Sequence, residues 1–206
     1  MQVDEALELD PVQINSHSGN DYFWRKEQEE VFFQKALDYE KKNSNKAILH
    51  ETHRKRILHS PWVARELVPL FKGELKVVAD LSHFLCVAET NTEDPELTAV
   101  IEQLAPYIKH IHARVGYDHG PQVPDPRAKH WEPYVVGMER WWTTIFRAQK
   151  ACMQVSTVTP EHGPPNYQVC DPLWQTPMAD IWEVNTWVGN RIRQRFDEFN
   201  SETLSK

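Results

Sequence analysis

Cysteine is scarce in this chain. Cys86, Cys152 and Cys170 are the only three in 206 residues, widely separated and never paired as CxxC. That usage offers no disulfide framework and no cysteine-rich zinc site, and it fits reduced thiols in an intracellular, cytoplasmic protein. Long apolar runs are lacking too, since nothing approaches the roughly 18–20 residues of a membrane span. Excess positive charge is absent. Lys and Arg total 23 against 30 Asp and Glu, a formal net charge of −7. Binding to a nucleic-acid backbone needs clustered cations, so this balance argues against it. The opening residues MQVDEALELD carry no basic n-region and no apolar h-region, and so do not read as a secretory signal. No internal repeat or low-complexity block is apparent. What the chain does have is core-building material: 40% hydrophobic residues and eight Trp. Such a chain is not disordered throughout, and it reads as one domain over residues 1–206.

Helical and strand patterns alternate. Residues 1–9 read as the end of a helix, followed by a strand over residues 12–17 that stops at Ser18-Gly19-Asn20. A helix over 23–42 follows, with Asn20 or Asp21 as its cap and an apolar stripe of Phe23, Val31, Phe32, Ala36, Leu37 and Tyr39. Residues 47–52 form a strand, and Pro61 to Val68 a short helix capped by Ser60 and ended by Pro69. A strand over 75–80, a helix over 95–106 and a strand over 108–114 come next. After a Pro/Gly-rich loop from Gly116 to Ala128, a long helix covers 131–151, a strand 155–159 and a last helix 178–199. Strands that alternate with helices predict βα units around a parallel sheet.

All five predicted strands run into polar or ionisable residues. Side chains alternate faces along a strand, so Leu49, Glu51 and His53 share a face, as do Val78 and Asp80 with His83 just beyond. His110, His112 and Arg114 line a third strand, Thr157, Thr159 and Glu161 a fourth, and Asn15 and His17 the first. If these faces converge, the C-terminal strand ends gather two Glu, one Asp and several His, where active sites sit in β/α barrels. Such a hard, oxygen-rich set with one imidazole suits Mn²⁺, Mg²⁺ or Co²⁺, and Zn²⁺ is compatible. A divalent cation offsets the repulsion among three carboxylates that are costly to bury.

Four segments occur in order: His50-Glu51-Thr52-His53-Arg54, Ala79-Asp80-Leu81-Ser82-His83, His110-Ile111-His112-Ala113-Arg114 and Thr159-Pro160-Glu161-His162-Gly163-Pro164. Together they resemble the xylose isomerase-like TIM-barrel superfamily, specifically its sugar phosphate isomerase/epimerase group. Asn15-Ser16-His17-Ser18-Gly19 resembles an earlier strand-end motif of that group, so the likeness covers nearly the whole chain. It implies an α/β fold, a (β/α) TIM-type barrel, and metal ligands at Glu51, Asp80, His112 and Glu161. His83 and Arg114 match positions that hold substrate oxygens, and His17 and His53 are further candidates for substrate contact. Glu51 and Glu161 match the pair that exchanges a proton at the substrate carbon, while the metal stabilises an enediolate. The implied reaction is isomerisation or epimerisation of a sugar, sugar phosphate or related polyol.

Two departures stand out. The family continues the Glu51 motif as His-Arg-Gly-Arg, whereas Lys55 stands here in place of that Gly. The matching motifs also belong to the last five of eight strands, so an incomplete barrel is expected. Its two open edges invite pairing with another copy of the chain.

Plainer readings stand beside these. Glu51 also reads as a partner of Arg54 or Arg56, Asp80 as a cap of the following turn, His110 as a supporting group behind His112, and Glu161 as a turn residue. His50, His59, His119, His130 and His162 read as solvated or structural. Trp141, Trp142, Trp182 and Trp187 read as core packing on helices, Trp24 as a further substrate contact, and Arg191, Arg193 and Arg195 as a solvated face. The functional alternative is a truncated, non-catalytic relative that binds metal or a partner. An abasic-site endonuclease of the same superfamily needs a larger zinc-ligand set and a basic groove, and the charge of −7 argues against it.

Overall fold

The structure, a computed structural model, describes residues 2–19 and 25–204. The expected cap residues Asn20 and Asp21, Phe23 of the helix stripe and Trp24 lie outside them. Five parallel strands pair in chain order: β1 (Gln13–Ser16), β2 (Ala47–Glu51), β3 (Lys76–Ala79), β4 (Ile108–Ala113) and β5 (Val158–Pro160). They form a curled half-barrel with flanking helices, an incomplete α/β barrel with β1 and β5 at its edges. The helices are α1 (Gln2–Leu7), α2 (Lys26–Asn43), α3 (Pro61–Leu67), α4 (Leu81–Ala88), α5 (Pro95–Leu104), α6 (Glu132–Ala151) and α7 (Ile181–Leu204). Among the described residues no helix is long and apolar enough to cross a membrane.

Local chemistry explains most boundaries. Ser60 accepts from the Val63 amide and Pro61 opens α3. Asp94 caps α5 by accepting from the Glu96 and Leu97 amides, again with Pro next in sequence. Pro69 ends the α-helical hydrogen bonding of α3, but the chain continues as a 3₁₀ turn over Val68–Phe71. Pro106 lies in a similar turn, Ala105–Tyr107.

Four expectations need correction. Residues 81–88, to which the sequence pattern assigns no element, form α4, which Asp80 caps through Ser82 N. On α2 the buried positions are Glu29, Phe33 and Leu37, spaced four apart, while Val31 is exposed. The last strand starts at Val158 rather than residue 155, because β4 pairs with it from Ile111↔Val158 onward and Val155 stays in solvent. Trp182 is 79% exposed on the first turn of α7, whereas Trp141 and Trp142 are buried as expected and Trp187 packs partly against the core.

The core lies between sheet and helices. Val77, Ala79, Ile111 and Ala113 from the strands join Phe84, Leu85, Leu97, Ile101, Met138, Trp141, Ile145 and Phe146 from the helices. Helix α7 sits on α6, where Arg191 and Arg195 both bind the buried carboxylate of Glu139. Two of the three arginines read as a solvated face are therefore anchors, because a buried carboxylate needs cationic partners.

Candidate functional site

The opposite face of each strand carries the polar residues, as period-two alternation requires. Leu49 and Val78 form its floor, and above them the strand ends present Glu51, Asp80, His112 and Glu161. One ligand atom from each of these four lies within 4.8 Å of the others. Glu51 closes β2, Asp80 follows β3, His112 lies in β4 and Glu161 follows β5. Thr52 clamps two of these ends together: its hydroxyl donates to the Asp80 carbonyl at 3.0 Å and accepts from the Asp80 amide at 2.9 Å. Glu161 is fixed by its amide, which donates to the Ala113 carbonyl of β4 at 3.2 Å.

The side chains compensate one another. His112 Nδ1 lies 2.9 Å from Glu161 Oε2 and 3.6 Å from Glu51 Oε2, and Asn15 Nδ2 lies 3.2 Å from His112 Nε2. Burial opposes charge on His112, but the two carboxylates outweigh it and push its pKa up to about 10. Glu51 is itself buried, which opposes its charge, yet His112 and His17 hold it well below the usual carboxylate range. His17 Nε2 is 2.8 Å from Glu51 Oε2, and this contact raises the His17 pKa. Asp80 divides its oxygens. Oδ1 accepts from Ser82 N and Oγ, while Oδ2 takes Arg114 Nη2 at 2.5 Å. Arg114 Nη2 also lies 3.2 Å from Glu161 Oε2, so one buried guanidinium spans two of the carboxylates. Burial disfavours the Asp80 charge, and the adjoining Arg114 guanidinium overcomes that to keep it ionised.

Asp80 caps α4, as the plainer reading has it, and its side chain also lies within the four-residue cluster. The contacts of Glu51 described above go to His17, just after β1, and to His112 of β4. His110 supports the site from below: its ring nitrogens lie 2.8 Å from Thr157 Oγ1 and 3.0 Å from Thr159 Oγ1, and it is not in the four-residue set. His83 is fully buried, with Nε2 3.5 Å from Asp80 Oδ2, and burial pushes its pKa down to about 3. His17, His53 and His83 stack in a row, with ring centroids 4.6 and 4.0 Å apart. His50 and His162 are buried rather than solvated, while His119 and His130 are exposed.

Several residues of the site escaped sequence reasoning. The Tyr167 ring lies 4.6 Å from Arg114 Cζ and 5.4 Å from Arg54 Cζ, and its hydroxyl is 3.3 Å from His53 Nε2. Gln122 exchanges two hydrogen bonds with the Gly163 backbone, and Asn185 exchanges two with that of His162. These pairs pin the segment after Glu161. They join positions far apart in the chain, so no local pattern announces them. Lys55 takes φ +64°, the left-handed conformation that glycine accepts without strain.

A cavity of about 880 Å³ opens over the inner face, lined among others by Asn15, His17, Glu51, Arg56, His112 and Glu161. The donor set fits a hard divalent cation: three carboxylates, one imidazole, and a Glu51 Oε1 that is buried without a hydrogen-bond partner. No family model matches this chain, and no curated protein or solved structure matches it either.

Proposed function

We propose that this chain is a divalent-metal-dependent isomerase or epimerase of a sugar, sugar phosphate or related polyol, on the framework of a TIM-type barrel. The observation that carries the reading is the convergence of Glu51, Asp80, His112 and Glu161 from four separate strand ends into one 4.8 Å cluster. Those four residues hold the cation, with Mn²⁺, Mg²⁺ or Co²⁺ favoured by the oxygen-rich set and Zn²⁺ compatible. A bound divalent ion supplies Lewis-acid polarisation of adjacent substrate oxygens.

The chain's own groups do the proton work. Glu51 and Glu161 both approach His112 Nδ1, so their carboxylates lie close to one another over the same imidazole. One removes a proton from the substrate carbon and the other returns it, each directly or through one water. Glu51 is buried and Glu161 is one-third exposed, so the two differ in their access to solvent protons. Arg114 orients Glu161 and Asp80 and presents N–H donors to substrate oxygens, with Tyr167 stacked on it. His83, His17 and His53 complete the polar wall.

A second reading, a non-catalytic metal-binding or interaction relative, is favoured by one observation. Arg114 already spans Asp80 and Glu161, so the chain supplies a cation of its own to the cluster. In that reading the open edges of β1 and β5 receive a partner, such as a second copy of the chain.

The experiment is metal analysis of the purified protein together with solvent-deuterium incorporation into a panel of ketoses with Mn²⁺. Enzyme function predicts a retained ion and deuterium at C2 or C3, both lost in Asp80→Ala. Glu51→Gln and Glu161→Gln variants that each keep full exchange would refute the acid/base pair. A retained ion without exchange on any ketose selects the second reading.

A further inference from the structure

Glu161 differs from the other three members of the cluster. Glu51, Asp80 and His112 are buried, whereas the Glu161 side chain is one-third exposed, so packing does little to fix it. It also follows a weak element. β5 is three residues long, lies at the edge of the sheet and includes Pro160, which has no N–H to give to a ladder. A short edge strand of this kind frays unless something else holds its end. Yet Glu161 Oε2 lies 2.9 Å from His112 Nδ1 and 3.2 Å from Arg114 Nη2.

Two side-chain amides do the holding. Backbone groups of an extended chain point alternately to its two sides. The Glu161 amide donates to Ala113 of β4. Those of His162 turn the other way, toward the edge that no described strand covers. There Asn185 of α7 takes both: its Oδ1 accepts from the His162 amide at 2.7 Å, and its Nδ2 donates to the His162 carbonyl at 2.9 Å. Gln122, from the loop after β4, binds Gly163 in the same way, at 2.7 and 3.0 Å. A carboxamide offers both a donor and an acceptor, as a peptide unit does, so each side chain stands in for a neighbouring strand. Gln122 is buried, and Arg127 ties its loop to Glu183 of α7 at 3.1 Å. We infer that Gln122 and Asn185 are positioning residues for Glu161, which hold its carboxylate at the cluster from two segments that contribute no ligand. The inference goes beyond the proposed reaction and rests on one part of that reading, that Glu161 is a ligand of the cation.

The test is calorimetric titration of the metal-stripped full chain with Mn²⁺, with folding checked by circular dichroism, as a double-mutant cycle with Glu161→Gln. Gln122→Ala and Asn185→Ala, made separately, each weaken Mn²⁺ binding about tenfold, the scale on which partners of metal ligands act. Asn185→Asp keeps the acceptor for the His162 amide and loses the donor, so it falls between Asn185→Ala and the wild type; it also serves if Asn185→Ala does not fold. In the Glu161→Gln background the same replacements weaken binding no further, because the carboxylate they position is gone. Thr186→Ala, an exposed neighbour on α7, leaves the affinity unchanged. Equal weakening in both backgrounds marks a merely structural role and overturns the inference. So does wild-type affinity in folded Gln122→Ala and Asn185→Ala when Glu161→Gln itself weakens binding, and that result leaves the cation site standing. Wild-type affinity in Glu161→Gln, or no Mn²⁺ bound by the folded wild type, overturns the ligand role of Glu161 and the inference with it.

Discussion

The two faces of the same five strands obey different physics. Toward the helices, Val77, Ala79, Ile111 and Ala113 meet Phe84, Met138, Trp141 and Phe146, and stabilisation comes from apolar area removed from water, about 25 cal/mol per Å². Toward the cavity, alternate residues of the same strands bury Glu51, Asp80, His110, His112 and Arg114. Each charge there costs desolvation that only a matched partner offsets. One face can be repacked with any apolar side chain of suitable volume. The other tolerates little change, because each group depends on a particular neighbour.

The largest effect is expected from acid, which charges buried imidazoles on both faces. Burial holds the pKa of His50, His110 and His162 at about 4 and that of His83 at about 3, against 6.5 when exposed. The unfolded chain therefore binds more protons than the folded one between pH 6.5 and about 4. Their contribution is complete above pH 6.5 and is lost as the pH falls through about 4. Urea midpoints measured from pH 7 to pH 4 should drop steeply, and a flat profile would contradict the burial of these rings.

Single replacements on the two faces should cost similar stability and differ in consequence. Asp80→Ala leaves the buried Arg114 without its closest partner and should cost about 3–5 kcal/mol, together with cation binding. Trp141→Ala opens the apolar layer at a similar cost of about 3–5 kcal/mol. Trp141→Ala protein that stays folded should bind Mn²⁺ as the wild type does. Denaturation curves paired with metal titrations check both, and loss of cation binding in Trp141→Ala would erase the distinction.

A smaller effect sharpens the picture at the rim. Lys55→Gly relieves a left-handed backbone at a non-glycine residue and should stabilise the chain by about 1 kcal/mol, read as a higher melting temperature. The smallest change is expected at Trp182, which is 79% exposed: Trp182→Ser should shift stability by no more than about 0.5 kcal/mol.

Much of the strand layout was legible, because a polar residue at every second position interrupts an apolar run only where one sheet face changes character. Asn15, His17, Glu51, Asp80, His112 and Glu161 were found that way. Helix α4 was not, since Leu81 to Leu85 are all buried and a helix covered on all sides displays no stripe. The α2 stripe was misplaced for a related reason. Val31 and Phe33 are both apolar, and only the position of the neighbouring Phe71 and His50 rings selects Phe33 for burial. Trp182 looked like core by its chemistry alone and lies in solvent.

Residue order alone carried the βα alternation, the cap at Ser60 and the ionisable strand ends, because hydrogen bonding and side-chain alternation act over a few neighbours. Folding in three dimensions chose which of those groups meet: Arg114 across Asp80 and Glu161, His112 between two glutamates, Tyr167 over both arginines. Those partnerships span 34 to 113 positions of chain, and charge and packing at such separations depend on distance through space, which spacing along the sequence does not encode.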